Sequence, residues 1–155
     1  MIFEIIHYGD PVPAGRPRDR TFHNPVKYTE FKNKLAMAIR YKFSDFCIYT
    51  QAFKDNLTRK EKTQILKKRY GLLVLVYKKQ RKGDTDNYLK AVKDAIVKAN
   101  LIYDDEQIEF DYVGKAISGT PRIEFILYEI KNIDTLTLIL LNYNKLKEIA
   151  LEYQN

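Results

Sequence analysis

Residues 71–110 read GLLVLVYKKQ RKGDTDNYLK AVKDAIVKAN LIYDDEQIEF, and the succession of patterns in this stretch decides the fold. Leu72 to Tyr77 is a compact, valine-containing apolar run of the kind that forms a buried strand. Lys78 to Gly83 leaves the core as a basic loop. From Asp84 to Asn100, Leu89, Val92, Ile96 and Ala99 recur at helical spacing and form one apolar stripe. A short Leu101-Ile102-Tyr103 connection leads to Asp104 and Asp105. These open a half-exposed strand in which Ile108, Phe110 and Tyr112 alternate with Gln107, Glu109 and Asp111. A helix and a strand joined this tightly are antiparallel neighbours or a hairpin-like unit.

Toward the N-terminus, residues 2–7 are mostly apolar on both alternating sets and predict a strand near the centre of a sheet, ending at Gly9. His7 reads as a strand-face residue, since no nearby His or Cys completes a metal cluster. Pro11-Val12-Pro13-Ala14-Gly15-Arg16-Pro17-Arg18 cannot continue a strand, because proline removes backbone donors, so its arginines project from a stiff loop. That loop runs on through Arg20 and Lys27 to a basic amphipathic helix from Tyr28 to about Tyr41, with Phe31, Leu35, Ala38 and Ile39 on its apolar face. No pattern decides residues 45–56. Thr58-Arg59-Lys60-Glu61 is a capping box opening a lysine-rich helix to about Arg69, which serves either as a solvated face or as a DNA contact. Ser118 to Pro121 marks a turn and Ile123 to Tyr128 a further strand. The spacing of Ile139, Leu140, Tyr143, Leu146, Ile149, Ala150 and Tyr153 predicts a C-terminal amphipathic helix packed on the domain or on a second subunit.

The length of 155 residues predicts one domain with a self-sufficient core. The formal net charge is +7. Such a charge attracts polyanions, although solvated lysines kept for solubility give the same balance. The single cysteine, Cys47, has no internal disulfide partner and reads as a plain buried thiol between Phe46 and Ile48. The absence of a cysteine framework or a secretory leader predicts a cytoplasmic location. The longest strongly apolar run, Leu136 to Leu141, is too short to span a bilayer, so no membrane association is expected.

Within so basic a chain the separated pairs Asp84/Asp86 and Asp104/Asp105 stand out. An Asp-Thr-Asp-Asn start is good capping sequence, and capping alone accounts for one carboxylate. A second beside it adds repulsion unless a cation compensates. Asp86, Lys90 and Asp94 lie at i, i+4 and i+8 and line one helix side. Lys90 is then either an ordinary surface partner of Asp86 or an ammonium placed beside a phosphate that gains charge during reaction. Asp94 reads as structural or supporting. Asp104 and Asp105 reach the first pair only if the connection curls back along the helix, and on spacing alone a solvated Asp-Asp-Glu turn is the simpler reading of them. Oxygen ligands would select a hard cation such as magnesium over zinc, and spacing leaves open whether one ion or two would bind.

The string Gly83-Asp84-Thr85-Asp86-Asn87-Tyr88-Leu89-Lys90, Asp94-Ala95 later in the helix, and Tyr103-Asp104-Asp105-Glu106-Gln107-Ile108 resemble the signature of the RusA-like Holliday junction resolvases. The match runs from about Phe3 to Glu129, weakest between Asp45 and Arg69, and the loop from Pro11 to Arg18 is similar to the basic loop of many members. The resemblance implies a single small α/β (α+β) domain, a mixed sheet with helices packed on it. Residues 1–130 would be the RusA-like nuclease domain, and residues 131–155 a helical C-terminal extension. It implies a homodimeric, magnesium-dependent crossover junction endodeoxyribonuclease, with Mn2+ a possible substitute ion, in a bacterial or phage-derived setting. Asp84, Asp86 and Asp105 would be metal ligands, Lys90 the catalytic lysine and Asp104 a supporting acid. Arg16, Arg18, Arg20, Lys27 and Lys115 would contact DNA. The expected substrate is branched DNA, above all four-way junctions, cut by paired symmetric hydrolysis. The longer basic segment 58–69 and the C-terminal addition depart from compact members. They keep two rival readings open: a nuclease of flaps, forks or other branched DNA, and a non-catalytic DNA-binding architectural or regulatory protein.

Overall fold

A computed structural model describes residues 1–15, 26–56, 58–80 and 83–131. The elements in chain order are β1 (Ile2–Tyr8), α1 (Val26–Lys42), α2 (Ser44–Asn56), α3 (Arg59–Ile65), β2 (Arg69–Lys78), α4 (Thr85–Lys98), a 3-10 turn (Asp105–Gln107), β3 (Ile108–Ile117) and β4 (Arg122–Ile130). The four strands make one mixed sheet in the order β1-β4-β2-β3. β4 runs antiparallel to both β1 and β2, while β3 runs parallel to β2. The fold is therefore a mixed α/β domain, as the sequence predicts.

β2 is the axis of the sheet, and every residue from Tyr70 to Tyr77 is buried. Leu72, Val74 and Val76 face the helices with Phe3 and Ile5 of β1 and Ile123, Phe125 and Leu127 of β4. α4 lays Tyr88, Ala91, Val92, Ala95 and Ile96 on that face, and α1 adds Tyr28, Phe31, Leu35 and Ile39. The opposite sheet face carries a smaller cluster around Leu73 and Tyr128, flanked by Phe110, Tyr112, Ile126 and Ile130. Just past the end of α4, Asn100 has a φ of 61°, a left-handed conformation that asparagine tolerates after a helix C-terminus. Arg40 of α1 donates to the Lys98 and Ala99 carbonyls there, at 3.1 and 3.3 Å, and so satisfies groups the helix leaves open.

Several expectations change. Among the described residues β1 pairs only with β4 and is an edge strand. Its outer-face Ile2, Ile6 and Tyr8 are exposed, so being apolar on both faces did not mean a central position. Residues 45–56, which no pattern decides, fall within α2. The helix opened by the Thr58 capping box is real, with Thr58 and Glu61 bonding reciprocally, but it ends at Ile65. β3 carries a register shift opposite Tyr70 and Gly71. This bulge puts Ile108 in the helix-side core and Phe110 and Tyr112 on the other face, so the three do not share one side. Cys47 is a buried free thiol, as expected. The predicted C-terminal helix lies outside the described residues.

Candidate functional site

Because β1, β2 and β3 all point the same way, their C-terminal ends share one edge of the domain. That edge gathers the start of the proline-rich loop after Tyr8, the exit of β2 at Lys78, and the β3–β4 turn. Gly9 N donates to the Pro121 carbonyl at 3.1 Å and Ser118 N to the Lys78 carbonyl at 2.9 Å. The chain then turns through Gly83, whose φ of 90° only glycine adopts without strain. It enters α4 at the same edge.

Asp84 occupies the N-cap position of α4 but makes no side-chain cap hydrogen bond. Asp84 and Asp86 are both exposed, as is Lys90 one turn further along. The capping account of Asp84 therefore fails. Two carboxylates are presented to solvent at the end of a helix where exposed N–H groups attract anions, phosphate included. Asp94, two turns from Asp86, accepts a hydrogen bond from the Tyr28 hydroxyl. Burial, followed by this bond to Asp94, raises the Tyr28 pKa well above the ordinary tyrosine range. Asp94 thus ties α1 to α4, in keeping with its structural reading.

Lys115 pairs across the ladder with Val76 near the same edge. Its Nζ donates to the Gly83 carbonyl at 2.6 Å, so it buttresses the turn that delivers Asp84. Lys27 is exposed in the first turn of α1. Arg16, Arg18 and Arg20 lie outside the described residues.

The second acidic pair is elsewhere. Asp105 and Asp104 immediately precede β3, whose first residue pairs with Tyr70 at the start of β2. They therefore sit at the opposite end of α4 from Asp84 and Asp86. The 14 residues of that helix, at a rise of about 1.5 Å each, separate its ends by about 21 Å. Among the described residues no group of three or more His, Cys, Asp or Glu side chains is close enough to hold a metal ion. Within one chain the connection does not curl back.

The far end is itself well ordered by hydrogen bonds. Asp104 accepts from Glu106 N at 3.1 Å, which gives it a capping role. Gln107, only 1% exposed, accepts from Tyr103 N at 2.9 Å and Asp104 N at 3.1 Å. Its amide nitrogen donates to the carbonyls of Ile65 at 2.9 Å and Lys68 at 3.3 Å. Gln107 lies within the sequence motif, where spacing alone assigns it no task. Its task is to lock the turn bearing Asp105 onto the lead-in to β2. Asp105 is left exposed at the start of that turn.

Comparison with known proteins bears on these two carboxylate-bearing turns. The uncharacterized protein YqaN of Bacillus subtilis (strain 168) is 33% identical over 140 residues, a match spanning 79% of this chain and 93% of that protein. A family model described as Endodeoxyribonuclease RusA matches residues 9–128, from the proline-rich loop through both acidic turns to β4. The chain is a member of the RusA endodeoxyribonuclease family.

Proposed function

We propose that this protein is a magnesium-dependent endonuclease that resolves four-way DNA junctions by paired, symmetric phosphodiester hydrolysis. The observation that carries the reading is the exposed pair Asp84 and Asp86 at the start of α4. They lack a capping role, have Lys90 on the same helix, and stand in a chain of net charge +7. An all-oxygen donor set of this kind suits Mg2+, with Mn2+ as substitute. The ion would supply an activated water and charge neutralisation at the phosphate.

Two carboxylates do not complete such a site, and Asp105 of the same chain is a helix length away. A two-fold axis that sets α4 of two copies antiparallel exchanges the helix ends. It brings Asp105 of a second copy toward Asp84 and Asp86 of the first. The proposed enzyme is therefore a homodimer with two equivalent centres, a symmetry suited to cutting two related strands of a junction. Asp104 shapes the turn that presents Asp105, and Lys90 faces the developing charge on the phosphate. Arg16, Arg18, Arg20 and Lys27 grip the DNA backbone without reading bases, so binding weakens steeply with salt. Lys115 holds the Gly83 turn and adds positive charge beside it.

The test is Asp86→Asn on a synthetic four-way junction. The variant is expected to keep its fold and most of its junction binding while losing magnesium-dependent cleavage. Cleavage equal to the parent's rules out Asp86 as a ligand. Faster cutting of flaps or forks than of junctions at equal ionic strength favours the flap-nuclease reading. Magnesium-indifferent binding without nicks favours the architectural one.

A further inference from the structure

Lys78 stands where three segments meet. It is the last residue of β2, and its side chain is only 17% exposed. Its Nζ donates to the Pro11 carbonyl at 3.1 Å and to the Tyr88 hydroxyl at 2.9 Å. The same ammonium lies 5.3 Å from the centre of the Tyr88 ring and 3.7 Å from an oxygen of Asp10. An ammonium has three N–H donors, and these three oxygens occupy its surroundings. Asp10 is 71% exposed and contributes little. The carbonyl of Pro11 and the phenol of Tyr88 are the fixed partners.

Those partners belong to the two segments that the nuclease reading needs to keep in register. Pro11 opens the loop whose arginines begin at residue 16. Tyr88, wholly buried, is in the first turn of α4, two residues beyond Asp86. A second link runs alongside: Ala14 N, in the same loop, donates to the Asn87 carbonyl at 2.9 Å, and Ala14 is buried. The loop is therefore fastened twice to the first turn of α4 before its arginines begin, and Lys78 supplies the side-chain fastening from the sheet.

We propose that Lys78 is a positioning residue that couples the Pro11–Ala14 segment after β1 to the Asp84–Asp86 turn. The proposal rests on the reading of that turn as the cation site. The Pro11–Ala14 segment packs against the first turn of α4, so its placement sets how the Asp84–Asp86 carboxylates are aimed at the scissile phosphate. A misplacement of about 1 Å can cost on the order of 100-fold in rate. Two of the three Lys78 donors are committed to Pro11 and Tyr88 and the ammonium is paired with Asp10, so it acts through the segments it joins.

The decisive variant is Lys78→Met, which keeps the side-chain length and removes the ammonium. Hydrogen exchange of the Ala14 amide reads the coupling with no DNA present. It is expected to accelerate by about tenfold or more, while the amides of Leu72 and Val74 keep their protection. Turnover at saturating junction and magnesium is expected to fall by about tenfold or more. Should Lys78→Met fold poorly, Tyr88→Phe removes the hydroxyl that accepts from Lys78 and is expected to shift the same readouts in the same direction. Unchanged Ala14 exchange, or parental turnover, overturns the proposal. Asp86→Asn assayed in parallel separates the two levels. Retained cleavage there defeats the cation-site reading itself, whereas lost cleavage there with an indifferent Lys78→Met defeats only the coupling.

Discussion

Replacing Gly83 by alanine tests the turn that delivers the first carboxylate pair. Two costs add. The residue has φ +90°, and a left-handed backbone costs an L-residue about 1–2 kcal/mol. The new Cβ would also stand 2.8 Å from the Tyr88 hydroxyl oxygen, 3.0 Å from Cε2 and 3.1 Å from Cζ. Tyr88 is wholly buried and holds Lys78, so its ring cannot swing clear. Forcing a methyl group into such packing costs about 1–3 kcal/mol. The expected loss is therefore about 2–5 kcal/mol, a large share of the roughly 5–15 kcal/mol that stabilises a domain. Urea denaturation followed by circular dichroism measures it, with the midpoint falling and the slope unchanged. In a Tyr88→Leu background the ring clash disappears, and the cost of Gly83→Ala should shrink to the backbone part of about 1–2 kcal/mol. A Gly83→Ala variant within about 0.5 kcal/mol of the parent, the range of an ordinary surface change, refutes the reasoning.

At the other end of α4, Gln107→Leu strips partners from two backbone N–H groups and two carbonyls. A loss of about 2–4 kcal/mol in urea denaturation is expected, and a change below about 0.5 kcal/mol contradicts the locking role. Burial first, and then the nearby Glu129, push the Tyr70 pKa up to about 12. The folded state thus holds this proton more tightly than the unfolded chain, where tyrosine ionises near pH 10. The stability it contributes is complete below about pH 10 and is lost as pH rises toward the folded value. Urea midpoints measured across that alkaline range should fall less steeply in Tyr70→Phe than in the parent. Equal slopes contradict the assignment.

Much of this was legible in the sequence because it is local. The stripe on α4, the valine-rich β2 and the Thr58–Glu61 capping box depend on residues a few positions apart, where periodicity and capping chemistry suffice. The acidic turns were legible as motifs for the same reason. Their separation was not, since it depends on β3 running parallel to β2, a pairing between residues far apart in the chain. The edge position of β1 and the phase change at the β3 bulge escaped for kindred reasons. Strand order leaves no local trace, and a bulge resets the two-residue alternation that a pattern reading assumes. Residues 45–56 gave no decision because their helix presents a mixed surface, with Cys47 buried while Ile48 and Tyr49 are exposed.

The central claim is that carboxylates from two copies make one centre, and a mixing experiment addresses it directly. Asp86→Asn and Asp105→Asn proteins, each inactive alone, are combined, allowed to exchange subunits, and assayed with magnesium on a four-way junction. In a mixed dimer one centre carries both substitutions and the other carries neither. An equal mixture should then recover about a quarter of the parental centres, seen as single nicks without paired cuts. A mixture that exchanges subunits yet stays inactive contradicts a centre shared between two copies.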